Sequence, residues 1–207
     1  MPNDSSSNAL GLQSAVDLLE MLASHEVSSV ELLDHFVERN SSLHSQLNAV
    51  VTLDVEQARA SAANSDHRRA KGEAVGVIEG LPMTIKDAIA VKGVRSTGGA
   101  VELADHVPEQ DAEVVSKIKT AGGIVFGKTN LPRWSGDIQA YNDIFGTTNN
   151  PWDLDCGPWG SSGGASAAVA AGLTPWEIGT DIGGSIRLPA HFAGVCGHKP
   201  SFGIVPQ

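Results

Sequence analysis

At 207 residues, with 41% hydrophobic and 18% charged side chains, the chain can bury a sizeable core and has the composition of an ordinary globular protein. Its net charge of −10 argues against a nucleic-acid partner, which would need a basic patch, and assigns the acidic residues to solvated faces. Only Cys156 and Cys196 occur, in no metal-ligand spacing, so neither a zinc site nor a disulfide framework is indicated. Cys196 stands among small apolar residues and is expected to pack as a small hydrophobe. The first residues have neither a basic region nor an apolar stretch, and the most apolar tract, Ala165–Leu173, is too short to span a bilayer. No secretory signal and no membrane partner are therefore expected, and the cytoplasm is the default location.

In chain order, residues 1–8 read as a disordered tail, 9–75 as a helical N-terminal region and 76–207 as an α/β core. Val16, Leu18, Leu19 and Leu22 recur at helical spacing. A second helix opens on Ser28 and Glu31 as a capping box and repeats Val30, Leu33 and Val37 on one face. Leu47–Leu53 reads as a strand, and Asp54 as the cap of a helix running towards Arg69. From residue 80 onwards strands and helices alternate. Leu81–Lys86 is strand-like, and Asp111 caps an amphipathic helix that carries Val114, Val115 and Ile118 and ends at Gly122. Gly123–Lys128 is again a strand, Gly163–Gly172 a tightly packed helix and Trp176–Thr180 a strand. That order predicts an α/β sheet, mixed or parallel, flanked by helices and without an internal repeat.

The run from Gly160 to Pro189 is dense in Gly and Ser yet interleaved with Val, Ile, Leu and Trp, which a flexible linker avoids. One Gly/Ser loop opens the small-residue helix, and a second Gly-rich turn presents Ser185. Two serines on glycine turns suggest a nucleophile and a helper. A serine hydroxyl attacks poorly until a neighbouring base takes its proton. Lysine can be that base when burial keeps it neutral. Lys86, preceded by Met83 and Ile85 on a segment that reads as a buried strand, meets the requirement.

These pieces resemble the amidase signature family of serine hydrolases. The resemblance runs from residue 13 onwards and rests also on G-L-P-M-T-I-K-D, G-K-T-N-L-P, F-G-T-T-N-N-P-W-D and G-H-K-P-S-F-G. The family places its lysine 75 residues before one serine and that serine 24 before the nucleophile; here 161 − 86 = 75 and 185 − 161 = 24. The resemblance implies that Ser185 forms the acyl-enzyme, that Ser161 bridges, held by a cis peptide to Gly160, and that Lys86 is the base. It implies an oxyanion hole in the turn Ile182, Gly183, Gly184 and Ser185, whose glycines free successive N–H groups to point at one spot. Asp181 and Arg187 flank this turn as its scaffold, and Ser162 supplies a supporting hydrogen bond. The implied fold is a mixed, largely parallel sheet flanked by helices, incomplete at the C-terminus. The chain ends at G-I-V-P-Q, soon after the signature, and a missing C-terminal half would supply more sheet and much of the pocket. Three residues depart from the pattern: Trp159 replaces a glycine, Glu177 a small residue and Arg133 a frequent glutamate.

Other patterns carry less. Gly122–Thr129 fits the P-loop expression, but the residues inside it are themselves the strand. Gly160–Gly164 fits a nucleophile elbow, with Ser162 as nucleophile and His191 or His198 as base, yet no strand precedes it. Ser116 and Lys119 form S-x-x-K on the solvated side of a helix. The expected activity is therefore hydrolysis of a small-molecule carboxylic amide, with esters or carbamates open to the same acyl-enzyme. No metal and no organic cofactor are implied, and Arg133–Tyr141, with Trp134 and Tyr141, is the candidate pocket wall. A homo-oligomer or the missing C-terminal half is the expected partner. The alternative is a non-catalytic fragment or one component of an amidase or amidotransferase assembly. Amidotransferase members of the family usually carry glutamine after the arginine of the nucleophile turn; Leu188 stands there in this chain and favours a free-standing amidase.

Overall fold

Two capping boxes begin the ordered chain, which this computed structural model describes over residues 10–73 and 75–205. The tail expected at 1–8 lies outside the described residues. In α1 (Ala15–Ala23) the Ser14 hydroxyl accepts from the Asp17 N–H, and the Asp17 carboxylate accepts from the Ser14 N–H. Helix α2 (Ser29–Leu47) repeats the arrangement with Ser28 and Glu31, as expected. The buried stripe of α1 is Leu18 and Leu22, whereas Val16 is exposed. In α2 it runs through Leu32, Leu33 and Phe36, leaving Val30 and Val37 half-buried. Asn48 then adopts a left-handed conformation (φ 47°), which stops α2 and delays the expected strand to β1 (Val50–Leu53). Helix α3 (Val55–Ala70) follows with Asp54 at its N-cap position, although the Asp54 side chain makes no cap bond.

The alternating segment gives β2 (Pro82–Lys86), α4 (Glu113–Thr120), β3 (Ile124–Thr129) and a small hairpin of β4 (Tyr141–Asn142) and β5 (Gly146–Thr147). It continues with α5 (Gly163–Ala170), β6 (Glu177–Ile178) and α6 (Arg187–Ala193). One expectation fails locally: Ala112, not Asp111, occupies the N-cap of α4. The Asp111 carboxylate instead accepts from the Lys92 N–H at 2.7 Å and from Lys119 Nζ at 2.9 Å, partners that outcompete the helix end.

The sheet runs β1-β3-β2-β6, with β2 parallel to β3 and β6 and β1 antiparallel to β3. The fold is thus the expected mixed, largely parallel α/β sheet, and the N-terminal helical region also lends it a strand. Side chains alternate across β2. Met83 and Ile85 face Val115 and Ile118 of α4, with Val91 and Val94 closing the layer. Thr84 and Lys86 therefore face the other way. At the start of the central strands Leu81, Ile124 and Phe126 pack with α1–α3, where Phe36 stacks on Phe126 at 6.4 Å.

Helix α5 reads G-G-A-S-A-A-V-A because backbone must approach backbone there. A Cβ on Gly164 would lie 2.4 Å from Asn130 N and 2.6 Å from Asn130 O, and the Gly164 N–H already donates to that carbonyl at 3.1 Å. Alanine normally improves a helix by about 0.5–1 kcal/mol over glycine. Here the overlap is with main-chain atoms that cannot turn aside, and overpacking of this kind costs about 1–3 kcal/mol. Gly164→Ala should therefore lower the unfolding free energy by about 1–2 kcal/mol in urea titrations; a stabilised variant would show that the α5–β3 contact is loose.

Candidate active site

Lys86 closes β2, Ser161 precedes α5 and Ser185 precedes α6, so three element ends converge. The Lys86 side chain is fully buried. Its Nζ donates to Ser161 Oγ at 2.6 Å and to Thr180 Oγ1 at 2.7 Å. Burial pushes the amine down to about 7, against the opposing pull of the Glu177 and Asp181 charges. Near neutral pH a large share of Lys86 is thus uncharged and able to accept a proton. The Gly160–Ser161 peptide is cis.

Ser162 fastens the two serine loops together. Its N–H donates to the Ser185 carbonyl at 3.0 Å. Its hydroxyl donates to the Thr180 carbonyl and accepts from the Thr180 N–H, both at 3.2 Å. That hydroxyl is occupied by backbone, and neither His191 nor His198 is bonded to it, so the elbow pattern finds no support. Ser185 is half-buried, and among the described residues its hydroxyl makes no hydrogen bond.

Asp181 organises the glycine-rich turn that carries Ser185. It accepts from the N–H groups of Gly184 (2.7 Å), Ile186 (3.0 Å) and Arg187 (3.3 Å), and from Arg187 Nε and Nη2 at 3.0 Å. The Arg187 guanidinium holds the Asp181 carboxyl well below the usual carboxylate range. One expected oxyanion donor is corrected by this: the Gly184 N–H is engaged by Asp181. Among the described residues Ile182, Gly183 and Ser185 keep open N–H groups.

Several residues around the site belong to no motif that points to it. Thr180 shares Lys86 with Ser161; its hydroxyl at the end of a strand parallel to β2 is the available signal. Glu177, in sequence only a charge out of pattern, turns its carboxyl inward to accept from Thr84 Oγ1 and, at 2.8 Å, from Thr129 Oγ1. Burial pushes that carboxyl up to about 8. Lys128, inside the P-loop-like run, is buried within β3 and lies 3.6 Å from Asp87. Its Nζ donates to the Ile89 carbonyl at 2.6 Å and Ser96 Oγ at 2.8 Å, and burial pushes it down to about 8. Asp87 in turn accepts from the Thr97 N–H at 2.9 Å.

Elsewhere the picture is mixed. Of the expected pocket wall, the main chain of Ile138 and Gln139 lies against Gly160, Trp134 lies over Gly98 and Tyr141 bonds Asp143 at the surface. Arg133 pairs with Glu102 at 2.7 Å. Trp159 takes a left-handed conformation (φ 64°) and stacks on Phe192 at 4.4 Å. Cys196, expected inside, is exposed, because the chain after α6 runs along the surface. Lys119 of the S-x-x-K pattern is tied to Asp111. Among the described residues no three His, Cys, Asp or Glu side chains are grouped to hold a metal ion, and no helix is long and apolar enough to cross a membrane.

The family model described as Amidase matches residues 31–207. A glutamyl-tRNA(Gln) amidotransferase subunit of Heliobacterium modesticaldum is 44% identical over 94% of this chain and 40% of its own length. The protein of the same name from a Synechococcus species is 46% identical over 91% of this chain and 38% of its own length. The chain thus spans about two fifths of these relatives. Among solved structures, the native peptide amidase of Stenotrophomonas maltophilia superposes with a TM-score of 0.90 at 33% identity, over 94% of this chain and 41% of that one. Fatty acid amide hydrolase gives 0.84 at 29% identity, over 92% and 33%.

The lowered affinity of Lys86 for its proton makes a testable statement about stability. Unfolding returns the amine to about 10.4, so between 7 and that value the unfolded chain binds more protons and stability rises with pH. Lys128 acts in the same direction; Glu177 opposes below 8 and is silent above it. From pH 8 to 10, Lys86→Met should therefore lose unfolding free energy relative to the parent by up to about 1.4 kcal/mol per pH unit. Urea titrations at three pH values check this, and parallel curves would mean that Lys86 stays charged when folded.

Proposed function

Because the chain belongs to the Amidase family, we propose that it carries the site of a serine hydrolase that breaks a carboxylic amide through a seryl acyl-enzyme. One observation carries the reading: a fully buried amine, Lys86 Nζ, lies 2.6 Å from Ser161 Oγ on a loop bonded to that of Ser185. In the proposed sequence neutral Lys86 takes the Ser161 proton, Ser161 takes that of Ser185, and Ser185 Oγ attacks the carbonyl carbon. The oxyanion turns towards the N–H groups of Ile182, Gly183 and Ser185, with Asp181 and Arg187 holding the turn. The proton returns through Ser161 to the leaving nitrogen, and water then cleaves the ester by the same relay in reverse. Esters and carbamates fit the same steps, and the substrate is a small molecule.

A second reading has its own support. Identity is higher to the amidotransferase subunits, at 44% and 46%, than to the amide hydrolase structures, at 33% and 29%. On that reading the site is the amide-cleaving part of a larger assembly. Leu188, in place of the glutamine of the amidotransferase pattern, favours the free-standing enzyme. Ammonia released from glutamine, but not from a panel of simple amides, would decide for the assembly.

A fluorophosphonate probe tests the shared core of both readings. Mass mapping should place the adduct on Ser185, and Ser185→Ala should abolish it. Lys86→Ala should slow labelling by the roughly 10²–10⁴-fold of a positioned base. The rate should rise with pH through about 7 as Lys86 loses its proton. An adduct on Ser162, or an unchanged rate without Lys86, would overturn the assignment.

A further inference from the structure

The register of the sheet places an acid beside the proposed base. Thr84 pairs with Glu177 across β2 and β6, and Lys86 pairs with Thr129 across β2 and β3. With alternation along each strand, Thr84, Lys86, Thr129 and Glu177 share one face of the sheet, the face covered by α5. Glu177 is half-buried as a residue because β6 is an edge strand, but its carboxyl group is turned inward. Both oxygens are held, Oε2 by the Thr84 hydroxyl and Oε1 by the Thr129 hydroxyl, and both threonines are fully buried. Among the described residues no ion pair satisfies it. Helix α5 contributes only Gly, Ala, Ser and Val to this layer. The charged groups that face Glu177 are therefore Lys128 from β3, whose own pairing is with Asp87, and Lys86 from β2. Asp181, beyond β6, also acts on Lys86 but is tied to Arg187.

We infer that Glu177 is a positioning residue for Lys86: its charge acts on the amine across the shared face of the sheet, and Glu177 sets the pH at which the Lys86 amine becomes free to accept a proton. The assignment of Lys86 as a base rests on the function proposed above; the coupling of the two groups does not. A threonine-anchored carboxylate stabilises the ammonium form, so the fraction of Glu177 that is ionised where Lys86 titrates delays loss of the Lys86 proton to higher pH. Burial brings the two groups close in affinity, about 8 for Glu177 and about 7 for Lys86, so that they titrate as a pair. A purely structural Glu177 would need only to bond the two threonine hydroxyls, which an amide side chain also does by accepting from one and donating to the other.

The experiment follows Lys86 directly. The protein is labelled with 13C at the lysine Cε, the Lys86 signal is assigned with Lys86→Met, and its pH midpoint is measured in the parent and in Glu177→Gln. The expected result is a midpoint lower by on the order of one pH unit in Glu177→Gln. An unchanged midpoint overturns the inference. Glu177→Ala, which restores a small residue, should give the same shift; Glu177→Gln suffices if that variant does not fold. The pH profile of fluorophosphonate labelling at Ser185 supplies the second readout and should move with Lys86. If the Lys86 midpoint moves while Ser185 takes no label at any pH, the coupling stands and the acyl-enzyme reading falls. If Ser185 is labelled with the same profile in both proteins, Glu177 does not set the working pH.

Discussion

An amine is held inside this sheet without a carboxylate bonded to it, and most of the local design follows from that constraint. Taking an ammonium out of water costs several kcal/mol even after the protein relaxes. Lys86 meets this by giving up proton affinity and by donating to two neutral hydroxyls, Ser161 and Thr180. A carboxylate in either place would have made a stable ion pair and fixed the proton on nitrogen. Hydroxyls satisfy the donor without deciding its charge. They must then be delivered from outside β2, which explains why two loops and a small-residue helix converge on the end of that strand.

The second buried lysine shows what the alternative looks like. Lys128 occupies the next strand and is just as enclosed, yet it lies near Asp87 and bonds a main-chain carbonyl and Ser96. Those partners use its protons on ligands that hold the loop after β2 in place, and among the described residues nothing with a transferable proton beyond Ser96 stands in reach. Lys86 and Lys128 therefore differ by partner rather than by burial. Within the same layer, the hydroxyl-bound carboxyl of Glu177 and the guanidinium-bound carboxylate of Asp181 are opposites: burial drives the first towards its neutral form, Arg187 holds the second ionised.

Much of this was legible in the sequence wherever the signal was local. Ser28 and Glu31 announced a helix start, and the apolar run Leu81–Lys86 announced a buried strand. The 75- and 24-residue spacings carried the long-range step, which composition could not. Legibility failed where a side chain had a choice of partners distant in sequence. Asp111 had the right position for a cap and took Lys92 and Lys119 instead. The glycine turn promised four open donors, but Asp181 claims that of Gly184. Cys196 had apolar neighbours in sequence that do not surround it in space. Thr180 and Glu177 meet Lys86 and its strand only through parallel pairing, a contact that no local pattern encodes.

Trp159 shows how a departure from a pattern can be absorbed. Its backbone is left-handed at φ 64°, the region where glycine is free and a side chain costs about 1–2 kcal/mol. Stacking on Phe192 at 4.4 Å and 14° returns about 0.5–1.5 kcal/mol beyond simple burial, so the two terms nearly cancel. The exchange is not neutral in its consequences. Glycine would permit the turn but hold nothing, whereas the tryptophan ties the loop before Ser161 to α6, the helix that begins just after Ser185. With the two Ser162 bonds to Thr180 and the one to the Ser185 carbonyl, four separate contacts now fix one serine loop against the other. In the proposed relay, relative placement of the two hydroxyls is the most sensitive quantity, since transfer requires donor and acceptor within hydrogen-bond reach. The strain at Trp159 is thus located where rigidity between the two loops matters most.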